Sequence, residues 1–124
     1  MNIDNLLLDT NIVVHVLQGN LALAKELEGK RLLISVVSRI ELFSWPGEAE
    51  GRDEWLLQFL EECQLVELDR GIQNRAIELR KKYKLALADA VIAATALHLD
   101  VTLLTADRGF KKLESDLRVV IIQP

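Results

Sequence analysis

The chain has 124 residues, half of them apolar, with only two prolines and a formal charge of −4. That composition excludes a disordered or collagen-like chain, and the length predicts one domain over 1–124, able to bury a core without disulfides. The acidic balance does not by itself mark a nucleic-acid binder.

Three leucines at 6–8 predict a first strand, and 10–18 a short helix with Ile12, Val13, Val16 and Leu17 inward, stopped by Gly19-Asn20. A second short helix covers 21–27 and ends by Gly29. The continuous apolar run 32–36 predicts a strand covered on both faces. Residues 38–45 read as helical until Pro46-Gly47 breaks the pattern. The stretch 48–63 is strongly acidic, with Trp55, Leu56, Phe59 and Leu60 at helical spacing. A third strand follows at 65–68, then a helix over 72–83 with Ile72, Ala76, Leu79 and Tyr83 on one face. A helix over 88–99, a strand at 101–104, a short turn or helix at 109–113 and a strand at 119–122 complete the chain. Five strands alternating with helices predict an α/β fold, a three-layer sandwich around a central, mostly parallel sheet. Strand order is not encoded in the pattern.

Ligands of such sheets bind beyond the carboxyl ends of the strands. Asp9 follows the first strand, Asp107 the fourth, and Glu41 lies in the helix after the second. Asp89 opens a helix that must run back from that same edge. All four meet there if the first, second and fourth strands are neighbours. Each acid also has a local explanation. Asp9, Asp89 and Asp107 precede helical segments, where Asp is a favoured cap, and Ser38-Arg39-Ile40-Glu41 matches a capping box.

Two features favour a shared site. The helix over 88–99 is apolar almost all round, and Glu41 sits among Val36, Val37, Ile40, Leu42 and Phe43, so both carboxylates face desolvation. Four gathered acids would also repel one another and take up protons unless a cation joins them. Hard oxygen donors select Mg2+ or Mn2+, and such an ion supports in-line attack on a phosphodiester. The four side chains are therefore expected to converge on one ion.

Other chemistries lack their residues. No Ser–His–Asp or Cys–His nucleophile is evident, and two histidines, His15 and His98, do not make a usual zinc site. P-loop and dinucleotide glycine patterns are absent. Cys63, the single cysteine, cannot form an internal disulfide, which fits a reducing cytoplasm and a buried thiol. The N-terminal residues have no basic n-region, and no apolar run reaches the roughly 18 residues of a membrane helix.

Four stretches in order carry a family resemblance: LLLDTN at 6–11, SRIEL at 38–42, LADAVIAATA at 87–96 and LLTADRGF at 103–110. They resemble the successive motifs of PIN-domain proteins, most closely the small VapC-type toxins of bacterial toxin–antitoxin pairs, over essentially the whole chain. The resemblance implies a PIN-like five-stranded parallel sheet and a Mg2+- or Mn2+-dependent endoribonuclease. It assigns the four acids to Asp9, Glu41, Asp89 and Asp107, with Asn11 and Thr105 as supporting polar residues. It also implies a homodimer and a small cognate antitoxin.

Between 70 and 84 six basic residues meet one acid, Glu78. Arg80, Lys81, Lys82 and Lys84 are candidate contacts to an RNA backbone, or else a solvated helix face. The acidic helix with Trp55, Leu56 and Phe59 is either core or an interface for a second subunit or an antitoxin. Two rival functions stay open. One is a Mg2+-dependent phosphatase or phosphoacceptor domain using Asp9 as nucleophile, although position 11 is Asn rather than the second Asp of haloacid-type phosphatases. The other is a non-catalytic RNA-binding module of the same fold.

Overall fold

Leu6, Leu7 and Leu8 are completely buried at the centre of the molecule, each contributing roughly 1.5–3 kcal/mol of apolar burial. The computed structural model of the chain describes residues 3–47 and 50–123. These leucines belong to β1 (Asn5–Leu8), the middle strand of an all-parallel, five-stranded sheet ordered β3-β2-β1-β4-β5. The other strands are β2 (Arg31–Ser35), β3 (Gln64–Val66), β4 (Thr102–Thr105) and β5 (Val119–Ile121). Among the described residues six α-helices connect them: α1 (Thr10–Leu17), α2 (Leu21–Leu27), α3 (Val36–Phe43), α4 (Arg52–Glu61), α5 (Arg70–Lys82) and α6 (Leu87–Leu99). A 3-10 helix, Arg108–Leu113, joins β4 towards β5.

Side chains alternate across a strand, and here the alternation divides the core in two. Leu7, Leu33 and Leu103 face α5, α6 and the 3-10 helix, with Phe110 and Leu113 filling the same layer. Leu6, Leu8, Ile34 and Leu104 face Ile12 and Val13 of α1, Leu23 and Leu27 of α2, Leu42 of α3 and Leu56 of α4. The α6 residues from Ala90 to Ala96 are all buried, as an apolar-all-round helix requires.

The expected elements are present, with shifted ends. The Ser35 hydroxyl accepts from the Val37 amide at 3.1 Å, so α3 begins at Val36. Val36 therefore leaves the strand, and Ser38 lies inside the helix rather than capping it. Asp69 caps α5 through the Ile72 amide at 2.9 Å, which starts that helix two residues before the expected 72. β3 runs one residue earlier than expected and ends at Val66. In the acidic stretch the helix starts at Arg52; Glu48 and Ala49 lie outside the described residues. Among the described residues no helix is long and apolar enough to cross a membrane.

The strand order decides where ligands go. β1 is flanked by β2 and β4, so the three turns carrying Asp9, Ser35 and Thr105 emerge side by side. The connections change direction between β1 and β4, the place where parallel sheets open a crevice.

Candidate active site

Asp9 leaves β1 in an extended conformation and caps α1, its Oδ1 accepting from the Thr10 amide at 2.8 Å. Its Oδ2 accepts from the buried Thr105 hydroxyl at 2.7 Å. Thr105 Oγ1 in turn accepts from the Asp107 amide at 3.0 Å. Asp107 Oδ1 caps the 3-10 helix through the Gly109 amide at 2.8 Å. Asn11 Oδ1 accepts from the Ala106 amide at 3.2 Å. Thr105 and Asn11 thus stitch the turn after β1 to the turn after β4, and the two outer residues of that stitch are acids.

Capping accounts for part of Asp9 and Asp107. It does not account for Asp89 or Glu41. Asp89 is the third residue of α6, whose cap position is Ala86 with no side-chain bond, so the expected Asp89 cap is absent. A carboxylate there still gains from the helix dipole. Glu41, expected among apolar neighbours, is exposed, and Ile40 beside it is 58% exposed. Its Oε1 instead lies 2.7 Å from the Thr10 hydroxyl, which also lies 2.9 Å from Ser38 Oγ.

All four acids line one cleft of about 450 Å³, together with Thr10, Asn11, Val14, Leu42 and Trp45. Burial raises the Asp9 pKa above the ordinary carboxylate range; the Thr105 and Thr10 bonds oppose this, and the Asp89 and Asp107 charges add to it. Burial also raises Asp89, followed by repulsion from Asp107 and Glu41, with Lys112 pulling the other way. A larger concavity of about 570 Å³ lies by the amino ends of β4 and β5. Two of the acids lining it have cations: Arg118 stands 3.2 Å from Asp100, and Lys82 stands 3.2 Å from Asp116. Asp9 and Asp89, both raised in part by neighbouring carboxylates, line the smaller cleft.

The donor set fits a hard divalent cation, in an open form. Among the described residues no three His, Cys, Asp or Glu side chains stand in ready-made ligand geometry, so the expected closed convergence on one ion is not seen. Asp107 Oδ1 and Glu41 Oε1 are occupied by other bonds. Mg2+ tolerates such a site, because it keeps several waters and takes one or two direct carboxylates.

None of Arg80, Lys81, Lys82 and Lys84 lines this cleft. Arg80, Lys81 and Lys84 border a separate concavity of about 480 Å³ with Ile77, Tyr83 and Leu85. Lys82 bonds Asp116, and Tyr83 donates its hydroxyl proton to Asp116 as well. The cation felt by Asp89 is Lys112, whose Nζ donates to the Lys84 carbonyl at 2.8 Å. Three participants were not foreseen: Thr10, Ser38 and Lys112. Thr10 and Ser38 each stand inside a quoted motif, yet only the packing of α1 on α3 pairs them. Burial and then Glu62 push the Cys63 thiol up to about 11, and its Sγ donates to the Phe59 carbonyl at 3.4 Å.

A sequence model of the PIN domain matches residues 6–115. Among solved structures, VapBC2 of Rickettsia felis, bound to a promoter DNA fragment, is similar at 21% identity and a TM-score of 0.85, covering 96% of this chain and 99% of that one. A toxin–antitoxin complex from Klebsiella pneumoniae is 26% identical with a TM-score of 0.76, covering 92% and 94%. FitAcB of Neisseria gonorrhoeae is 22% identical with a TM-score of 0.76, covering 92% and 95%. No curated protein matches the chain.

Proposed function

This chain belongs to the PIN-domain family, and from that premise we propose that it is a Mg2+- or Mn2+-dependent endoribonuclease, the toxin of a type II toxin–antitoxin pair. The observation that carries the reading is the single cleft in which Asp9, Glu41, Asp89 and Asp107 meet from four separate segments.

Asp9, Asp89 and Asp107 are the residues to hold the cation directly, and Glu41 would reach it through a water or orient the attacking water. Thr105 and Asn11 keep the first and last of these acids in register. When bound, a divalent ion polarises a phosphoryl oxygen and lowers the pKa of a water. The protein's own contribution is to fix oxygen donors at the edge of a rigid sheet and to leave the cleft open to a long polymer. Arg80, Lys81, Lys82 and Lys84 would hold the RNA backbone at a distance from the cut. The reading as one half of a toxin–antitoxin pair is supported by the likeness to VapBC and toxin–antitoxin complexes. A homodimer has apolar surface available at Ile40, Ile77 and Leu87, each more than half exposed. The free Cys63 suits a reducing cytoplasm.

A phosphoacceptor role for Asp9 is less well supported, because both of its oxygens accept protein hydrogen bonds. The deciding experiment is cleavage of total RNA with Mg2+, Mn2+ or EDTA, with Asp9→Asn alongside. Cleavage should need the metal and fall by orders of magnitude in the folded variant. Equal cutting by Asp9→Asn would refute the site. Mn2+ calorimetry on Asp107→Ala separates a non-catalytic module: unchanged binding would remove the metal from the cleft.

A further inference from the structure

We propose that Thr10 is the positioning residue that aims the Glu41 carboxylate into the cleft. The proposal rests on the nuclease reading only for what Glu41 does once it is placed there.

Glu41 is the outlier of the four acids. Asp9 and Asp107 are tied by the stitch through Thr105, and Asp89 sits near the start of a buried helix. Glu41 is a long, exposed side chain on α3, with nothing on its own helix to hold it. Its one hydrogen bond among the described residues comes from Thr10, at 2.7 Å. Ser38, completely buried, lies one turn before Glu41 and on the same side of α3, and its Oγ is 2.9 Å from Thr10 Oγ1.

Thr10 Oγ1 donates toward both Glu41 Oε1 and Ser38 Oγ. A hydroxyl has a single proton, and an ionised carboxylate only accepts. The Thr10 proton therefore goes chiefly to the charged and nearer Glu41 Oε1, with Ser38 Oγ a second acceptor for it. A hydrogen bond to an ionised acceptor is the stronger kind, so the Thr10 hydroxyl restrains the carboxylate. Glu41 Oε1 is anchored, and Oε2 remains to face the cleft. Thr10 also follows Asp9 directly. One peptide unit thus sets the spacing between an acid at the cation's place and the acid at the water's place, although the two come from different parts of the chain.

The test compares wild type with Thr10→Val, Thr10→Ser and Ser38→Ala. The first readout is the 13C resonance of the Glu41 side-chain carboxyl, identified by its loss in Glu41→Gln. It should move to the position of a free surface glutamate in Thr10→Val and stay in both Thr10→Ser and Ser38→Ala. The second readout is single-turnover RNA cleavage beside Mn2+ affinity. Thr10→Val should slow cleavage roughly 10–100-fold, the loss typical of residues that orient a site's donors, and should cost Mn2+ affinity less than cleavage, because the Thr10 amide and Thr105 hydroxyl still hold Asp9. An unmoved Glu41 resonance in Thr10→Val overturns the proposal whatever the nuclease assay gives. Equal slowing in Thr10→Ser overturns it too, because the methyl and not the hydroxyl would then matter. A moved resonance in a wild type that cuts no RNA would support the placement and refute the nuclease reading instead.

Discussion

Replacing Thr105 by Val keeps the shape of a fully buried side chain and deletes only its hydroxyl. That hydroxyl donates to Asp9 Oδ2 at 2.7 Å and accepts from the Asp107 amide at 3.0 Å. A hydrogen bond to a charged group contributes about 1.5–3 kcal/mol. The Asp107 amide adds up to about 1 kcal/mol, because Asp107 is exposed and water can reach its turn. The expected loss is thus roughly 2–4 kcal/mol, which for a chain of this size lowers the melting temperature by about 8–16 °C. Thr105→Ser, which keeps the hydroxyl, should lose only about 1 kcal/mol for its missing methyl.

The same substitution acts on the site. Thr105 is the strongest influence that lowers the Asp9 pKa, against burial, so its loss raises that pKa further. A carboxylate raised above its unfolded value favours the fold when protonated, and stability falls as pH rises through the folded value. The gap between Thr105→Val and wild type should therefore widen with rising pH and close on acidification. More protonation of Asp9 also means weaker metal binding, by roughly 10–100-fold, as for other partners of metal ligands. Urea melts in EDTA across the carboxylate pH range, with Mn2+ calorimetry at neutral pH, read both effects. A Thr105→Val protein with unchanged melting and unchanged Mn2+ affinity would show that the stitch between Asp9 and Asp107 holds nothing.

Asp89→Asn should stabilise the metal-free protein at neutral pH while reducing cleavage by more than the roughly 10–100-fold typical of residues next to a ligand. The reason is that burial, Asp107 and Glu41 all raise the Asp89 pKa, so its charge opposes folding above the ordinary carboxylate range. Thermal melts in EDTA check the sign, and a variant less stable than its parent contradicts it. For the basic segment, Lys81→Ala with Lys84→Ala should weaken binding to uncleaved RNA and reduce the salt dependence by nearly two units of slope. An unchanged slope would leave these side chains as a solvated face.

Sequence periodicity located every element here, because both cores are built largely from leucine and isoleucine at regular spacing, with alanine in the layer of α5 and α6. It missed the ends, which side-chain caps decide. Ser35 took the role that the motif around Ser38 offers more visibly, and three residues of register followed from one hydroxyl. The four acids were legible as residues following strands or opening helices, yet two reasons for choosing them proved unequal. Asp89 does feel burial, as the apolar α6 requires, whereas Glu41 escapes it, since the apolar residues around it in sequence point elsewhere on α3. What no linear pattern could supply is the pairing of distant turns. Strand order set β1 beside β4, which lets Thr105 reach Asp9 across 96 residues, and the α1–α3 contact lets Thr10 reach Glu41 across 31. Local chemistry therefore chose the acids, but tertiary packing chose the two threonines that hold them. This difference has a physical source. A carboxylate near a strand end is conspicuous wherever it falls, while a threonine becomes functional only through the oxygen that happens to face it.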